Sequence, residues 1–246
     1  LHKAIRRQRQ MCIRDRYTVD GLLKRWPDTK YRDWYLGDWL APMGVDAGNQ
    51  VSVDLVSNCF ISECLSTMYK TALTLGNKEE AEEFAIRKEK LNKLIHQTFY
   101  RADEGIYSTG SQLDMCYPML VGVVPDSLYN KVKENVVMMT EEKHKGHIAV
   151  GLVGVPILTE WAVRNKQVDF FYQMMKKRDY PGYLYMIDNG ATATWEYWSG
   201  ERSRVHNCYN GIGTWFYQAI GGLKLDEAAP GYRHVFILSL IHISEP

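Results

Sequence analysis

Glu196 stands between two tryptophans in "GATATWEYWSG", Gly190 to Gly200. A surface glutamate needs no aromatic company, and a core segment disfavours a charge. A carboxylate walled by indoles suits one chemistry well, the binding and cutting of a sugar. Trp195 and Trp198 can exclude bulk water and cover the apolar faces of a sugar ring. Thr192 and Thr194 can orient a carboxylate or a hydroxyl. Glu196 then fits the general base that takes a proton from water. A helix-terminal carboxylate with packed indoles is the competing reading.

Other residues could serve the same chemistry. Asp38 in "GDW" can accept from a sugar hydroxyl beside a stacking Trp39, and it equally fits a helix cap. Trp34 can be a sugar wall or a core indole. His206 in "VHNCYNG" can donate to a sugar hydroxyl or to Glu196, or bond a backbone carbonyl in the core. His147 precedes a run of apolar and small residues, which favours loop packing. Cys59, Cys64, Cys116 and Cys208 show no CxxC and no Cys/His zinc spacing, so buried thiols are expected and no metal. No dinucleotide glycine fingerprint is present, and no cofactor is expected. Gly151, Gly154, Gly211 and Gly213 fit close helix packing.

Both ends read as translated sequencing adapter. "LSLIHISEP", residues 238–246, is encoded by CTG TCT CTT ATA CAC ATC TCC GAG CCC, one frame of a transposase library adapter. "MCIRDR", Met11 to Arg16, is the opposite strand of the same mosaic end, and the frame extends upstream through Arg6 to Gln10. Residues 1–16 and 238–246 are therefore set aside, and 17–237 is expected to be a piece of a longer gene. The adapters hold six of the 30 Lys/Arg and two of the 29 Asp/Glu. They leave 24 basic and 27 acidic residues and a net charge near −3. The basic arm "RRQR" disappears, and with it any case for nucleic acid. No apolar run reaches membrane-spanning length.

The elements that must position these residues read as helices. Val51–Leu75 carries Val53, Val56, Phe60, Ile61, Cys64, Leu65, Met68, Ala72 and Leu75 near a 3.6-residue period, and Gly76 stops it. Asn77 with Glu80 three residues on is a capping-box pattern for a charged, solvent-facing helix. "SQLDMCYPMLVG" is apolar all round and suits a buried inner helix. Pro125-Asp126 opens the next, and Ile157–Arg164 pairs with Val168–Lys177. Arg178–Gly200 reads as a loop, and Asn207–Leu223 as a last, Gly-rich helix. Buried helices thus alternate with amphipathic ones. Helical solenoids show a fixed period, which is absent. Irregular loops of about 10–20 residues instead favour a closed toroid of hairpins whose loops carry the site.

"YLGDWLAP", "HIAVGLVGVPIL", "GATATWEYW" and "HNCYNGIGTWFYQAIGGL", in that order, resemble the catalytic domain of bacterial α-L-rhamnosidases, glycoside hydrolase family 78. "PGYRHVFI" is similar to the family's exit into a C-terminal β-domain. The resemblance implies an all-α fold, a partial (α/α)6 toroid of the six-hairpin glycosidase type, truncated at the N-terminal side. It implies an inverting mechanism, release of terminal α-L-rhamnose, and a rhamnoside as partner, with no nucleic acid and no membrane. The family's general acid lies on an Arg-Glu segment before "GDW", and residues 17–38 hold no counterpart. This fragment is therefore expected to be inactive. Many members have Asn-His where this chain has His206-Asn207. The alternatives are a six-hairpin glycosidase for another sugar, and a helical-repeat binding protein.

Overall fold

The computed structural model describes residues 18–25, 36–45, 47–226, 228–229 and 231–238. Trp34 and nearly all of both adapter segments lie outside the described residues. The described chain forms two compact units. One takes 18–25, 36–39 and 47–136, and the other 40–45 and 137 onward.

In the first unit a two-residue hairpin, β1 (Thr18–Val19) with β2 (Leu22–Leu23), precedes the helical hairpin of α1 (Gln50–Thr74) and α2 (Lys78–Phe99). Asn49 caps α1 by accepting from Val51 N at 2.9 Å. Gly76, at φ +77°, ends it in the left-handed conformation that glycine adopts without strain. The capping box of α2 forms differently from its sequence pattern. Asn77 Nδ2 donates to Glu80 Oε2 at 3.2 Å, and no side chain caps the backbone.

The buried face of α1 is not the apolar stripe of the sequence. Val53, Val56 and Ala72 are buried, but so are Ser52, Asp54, Asn58 and Ser62, whereas Phe60, Cys64, Met68 and Leu75 are exposed. Specific partners turn the polar residues inward. Asn58 donates to Leu23 O and accepts from Leu23 N, at 2.8 and 2.9 Å. Ser62 donates to Asn92 Oδ1 on α2 at 2.6 Å, and Asn92 donates to the carbonyls of Val121 and Gly122. Buried polar groups so paired cost little, and they fix which face packs.

β3 (Tyr100–Arg101) and β4 (Ile106–Tyr107) flank the turn that the sequence showed only as a loop. α3 (Gln112–Leu120) is the expected inner helix, with every residue but Leu120 buried and Ser111 accepting from Asp114 N. α4 (Asp126–His144) follows.

The second unit holds α5 (Gly154–Arg164), α6 (Val168–Met175) and α7 (Tyr183–Asp188), the last inside the stretch expected to be a loop. The single helix expected over Asn207–Leu223 is instead three short windings. These are a 3-10 turn at Asn210–Ile212, α8 (Gly213–Trp215) and a π turn at Phe216–Ile220. Four glycines in this run weaken continuous helix. A Cβ on Gly211 would stand 3.0 Å from Pro156, so close packing explains that glycine; around Gly213 there is space. β5 (Leu223–Leu225) pairs antiparallel with β6 (Val235–Ile237), Leu223 facing Ile237. Among the described residues no helix is long and apolar enough to cross a membrane.

Candidate active site

The second unit gathers Trp195, Glu196, Trp198 and His206. Their loop follows α7 and is held by side chains from distant segments. Trp198 stacks on Tyr209 at 4.1 Å and meets Tyr183 edge-on at 5.2 Å. Its Nε1–H donates to Val150 O at 2.8 Å. Tyr183 in turn donates to Tyr209 O at 2.8 Å. The Tyr209 hydroxyl lies 2.9 Å from Leu40 O and 3.2 Å from Glu196 O, shared between the two carbonyls. Segments from four places in the sequence thus converge on the backbone of Glu196.

Trp195 and Trp198 are each 1 % exposed. The sequence reading gave them open faces for a sugar, whereas the structure gives them packed ones. Trp195 lies against Gly200, where a Cβ would come within 2.6 Å of its ring, and under the Arg204 guanidinium at 5.0 Å. The indoles therefore brace the loop, because rings this large contribute most when fully desolvated.

Glu196 is clamped at its backbone and open at its carboxylate. Its N–H donates to Ser203 O at 2.9 Å. His206 N–H donates to Thr194 O at 2.8 Å. Two residue steps on one side face three on the other, a bulge-like pairing that re-aims side chains. The Glu196 side chain stays 20 % exposed, with Ser203 N 3.3 Å from Oε2 and Arg202 Nη1 3.8 Å from Oε1. Neither contact saturates the carboxylate. Arg202 is the cation beside it.

Thr194 serves the backbone and not the glutamate. Its hydroxyl donates to His206 O and lies 2.6 Å from Asn210 Oδ1. Thr192 is exposed. His206 is half-buried, with Nδ1 2.9 Å from Cys208 Sγ, and Asn207 is exposed. A pocket of about 380 Å³ is lined by Ala193, Thr194, Val205, His206, Asn207 and Asn210. The first unit has a larger groove, about 700 Å³ along α1 and α2, but it holds none of the candidate residues. His147 packs as expected for a loop residue, Nδ1 at 2.9 Å from Pro181 O and Nε2 at 3.2 Å from Asp179. In the first unit Asp38 is buried, 4 % exposed, and Trp39 presents an exposed ring at 41 %.

Sequence reasoning missed Tyr209, Arg202, Ser203 and Cys208. Tyr209 and Cys208 sit in the motif quoted for His206, but their partners are far off in the chain or two residues away across a turn. Only the folded loop shows them.

The chain matches the bacterial alpha-L-rhamnosidase 6 hairpin glycosidase domain over residues 10–220. It belongs to that family. An alpha-L-rhamnosidase of Alteromonas sp. (strain LOR) is 28% identical over 220 residues, which is 82% of this chain and 23% of that protein. One from Streptomyces avermitilis is 26% identical over 229 residues, 89% of this chain and 20% of that protein. Among solved structures, the Streptomyces avermitilis alpha-L-rhamnosidase complexed with L-rhamnose matches with a TM-score of 0.75 at 22% identity. That match covers 91% of this chain and 21% of that one. The native enzyme from Aspergillus terreus matches at 0.74 and 23% identity, covering 82% of this chain and 25% of that one. The chain thus spans about a quarter or less of the length of these relatives, and it carries part of a six-hairpin glycosidase fold.

Proposed function

We propose that this chain is part of an inverting glycoside hydrolase that releases terminal α-L-rhamnose, with Glu196 as its general base. One observation carries the reading. Glu196 has a backbone fixed by Ser203 and Tyr209 and a carboxylate left partly exposed beside one cation. That is how a group held ready to take a proton from water is built. Membership of the rhamnosidase family and the relative solved with L-rhamnose support the sugar.

In this reading Glu196 deprotonates a water that attacks the anomeric carbon, while a carboxylic acid on another segment of the parent protonates the leaving oxygen. The two carboxyls of an inverting pair stand about 6.5–9.5 Å apart to admit that water. Arg202 stands beside the Glu196 carboxylate, its Nη1 3.8 Å from Oε1. Asp38, Trp39 and Trp34 are carried forward as candidate sugar-binding residues of the parent. His206 donates to a sugar hydroxyl from the pocket wall. Trp195 and Trp198 act through the loop they brace.

The test is turnover of a panel of aryl glycosides by the full-length parent. Preference for the α-L-rhamnoside supports the proposal. Preference for a different sugar transfers the site to another six-hairpin glycosidase, and binding without turnover of any member transfers it to a binding protein. The 246-residue chain alone is expected to show no turnover above background.

A further inference from the structure

The pairing of His206 with Cys208 has no part in the reading above. Cys208 is 2 % exposed, and its Sγ lies 2.9 Å from His206 Nδ1. No other hydrogen-bond partner for this ring occurs among the described residues. The His206 backbone is already fixed on both sides by Thr194, through its N–H and its carbonyl. A fixed backbone still leaves open which ring nitrogen carries the proton, and only a partner of the ring decides that. A thiol is a weak donor and a weaker acceptor. Burial, and then the charge of Glu196, push the Cys208 thiol up, so it keeps its proton near neutral pH. The hydrogen between sulfur and nitrogen then belongs to sulfur.

We infer that Cys208 is a positioning residue: its S–H donates to His206 Nδ1, fixes the imidazole as the Nε2–H tautomer, and so makes His206 an N–H donor on the wall of the pocket formed with Thr194, Asn207 and Asn210. The ligand of that donor is a sugar hydroxyl or ring oxygen, a part of the inference that rests on the rhamnosidase reading. The tautomer does not rest on it. The pocket also suits a hydroxylated ligand. It offers the amides of Asn207 and Asn210 beside the imidazole, with Ala193 and Val205 as its apolar wall.

The experiment is long-range ¹H–¹⁵N correlation of the histidine rings in the full 246-residue chain at a pH where His206 is neutral, with His206→Gln used to assign its signals. The expected wild-type pattern has Nε2 protonated and Nδ1 bare. Cys208→Ser, which keeps a donor, retains that pattern, and Cys208→Ala loses the preference. A protonated Nδ1 in the wild type overturns the proposal, and this holds even if the Ala variant does not fold. An unchanged tautomer in folded Cys208→Ala overturns it as well. In the parent enzyme Cys208→Ala raises KM about fivefold with kcat nearly unchanged, as expected for one hydrogen bond no longer preset, and Cys208→Ser restores it. A tautomer change with no change in KM keeps the Cys208–His206 arrangement but overturns the sugar as its ligand.

Discussion

Two carboxylates, one in each unit, are built in opposite ways. Asp114 on α3 is fully buried. Its Oδ1 accepts from the Ser52 hydroxyl at 2.7 Å, and its Oδ2 from Thr109 N at 3.1 Å and the Thr109 hydroxyl at 2.7 Å. Those bonds tie α1, the β4–α3 loop and α3 together, and they leave no room for a reactant. Glu196 has one backbone donor at 3.3 Å, one cation at 3.8 Å and a side chain still partly in water. Its support is spent on the backbone and on the flanking indoles. A carboxylate that holds a fold has its acceptor sites filled, whereas one that does chemistry keeps capacity for a water and has a rigid frame behind it.

The same isosteric change should therefore act on different quantities at the two positions. The largest effect is expected at Glu196. Glu196→Gln keeps shape and packing but cannot take a proton, so in the full-length parent kcat should fall roughly 10²–10⁴-fold. KM should change little, and the unfolding midpoint should stay near that of the parent. Near-parental kcat in a folded variant would remove Glu196 from the role of base, and Asp38 would be the next residue to change.

A smaller effect tests the frame. Gly200 has φ +81°, and a Cβ there would come within 2.6 and 2.9 Å of two atoms of the Trp195 ring. Gly200→Ala adds left-handed strain of about 1–2 kcal/mol and overpacking of about 1–3 kcal/mol. The loop, which is also the frame of Glu196, should give way first. In the 246-residue chain the variant should lose hydrogen-exchange protection at Glu196 N and His206 N, with the amides of α1 and α3 unaffected. Unchanged protection at those two amides would mean that Trp195 is not what holds the glutamate.

How far the sequence shows all this differs between levels. Most helix positions follow from periodicity and caps. The helix over Lys78–Phe99 needed only its apolar pattern and the Asn77–Glu80 spacing, and the inner helix over Gln112–Leu120 only its apolar run. The buried side of α1 did not follow, because Ser52, Asn58 and Ser62 are drawn inward by Asp114, Leu23 and Asn92, partners at least 30 residues away. For the site, the indoles drew attention to the Glu196 loop, but their burial within it was not legible in the sequence. An aromatic neighbour in sequence looks the same whether its ring faces a sugar or stacks on Tyr209. Arg202 was visible only as one more surface cation until the turn at Tyr197–Gly200 brought it back toward Glu196.

The smallest expected effect bears on the sealed carboxylate and concerns pH. Burial raises the Asp114 carboxyl above its ordinary range, and the bonds from Ser52 and Thr109 pull only part of the way back. A folded-state pKa above the unfolded one, about 3.9 for Asp, means that the folded protein holds the proton more tightly. The stability from this group is complete below the unfolded pKa, and it is lost as pH rises through the raised folded one. Asp114→Asn cannot titrate. Its amide oxygen can take the two donors of Thr109 while its NH₂ turns to Ser52, whose hydroxyl can accept as well as donate. The variant should therefore fold, at a cost of about 1 kcal/mol. The wild type should be favoured most in acid, and its margin should shrink toward neutral pH. Denaturant midpoints of both proteins, measured at intervals from about pH 3.5 to about pH 7.5, give that margin directly. A margin that widens as pH rises would mean that the three donors hold Asp114 as an anion. Its desolvation would then be outweighed, and the contrast with Glu196 would rest on geometry alone.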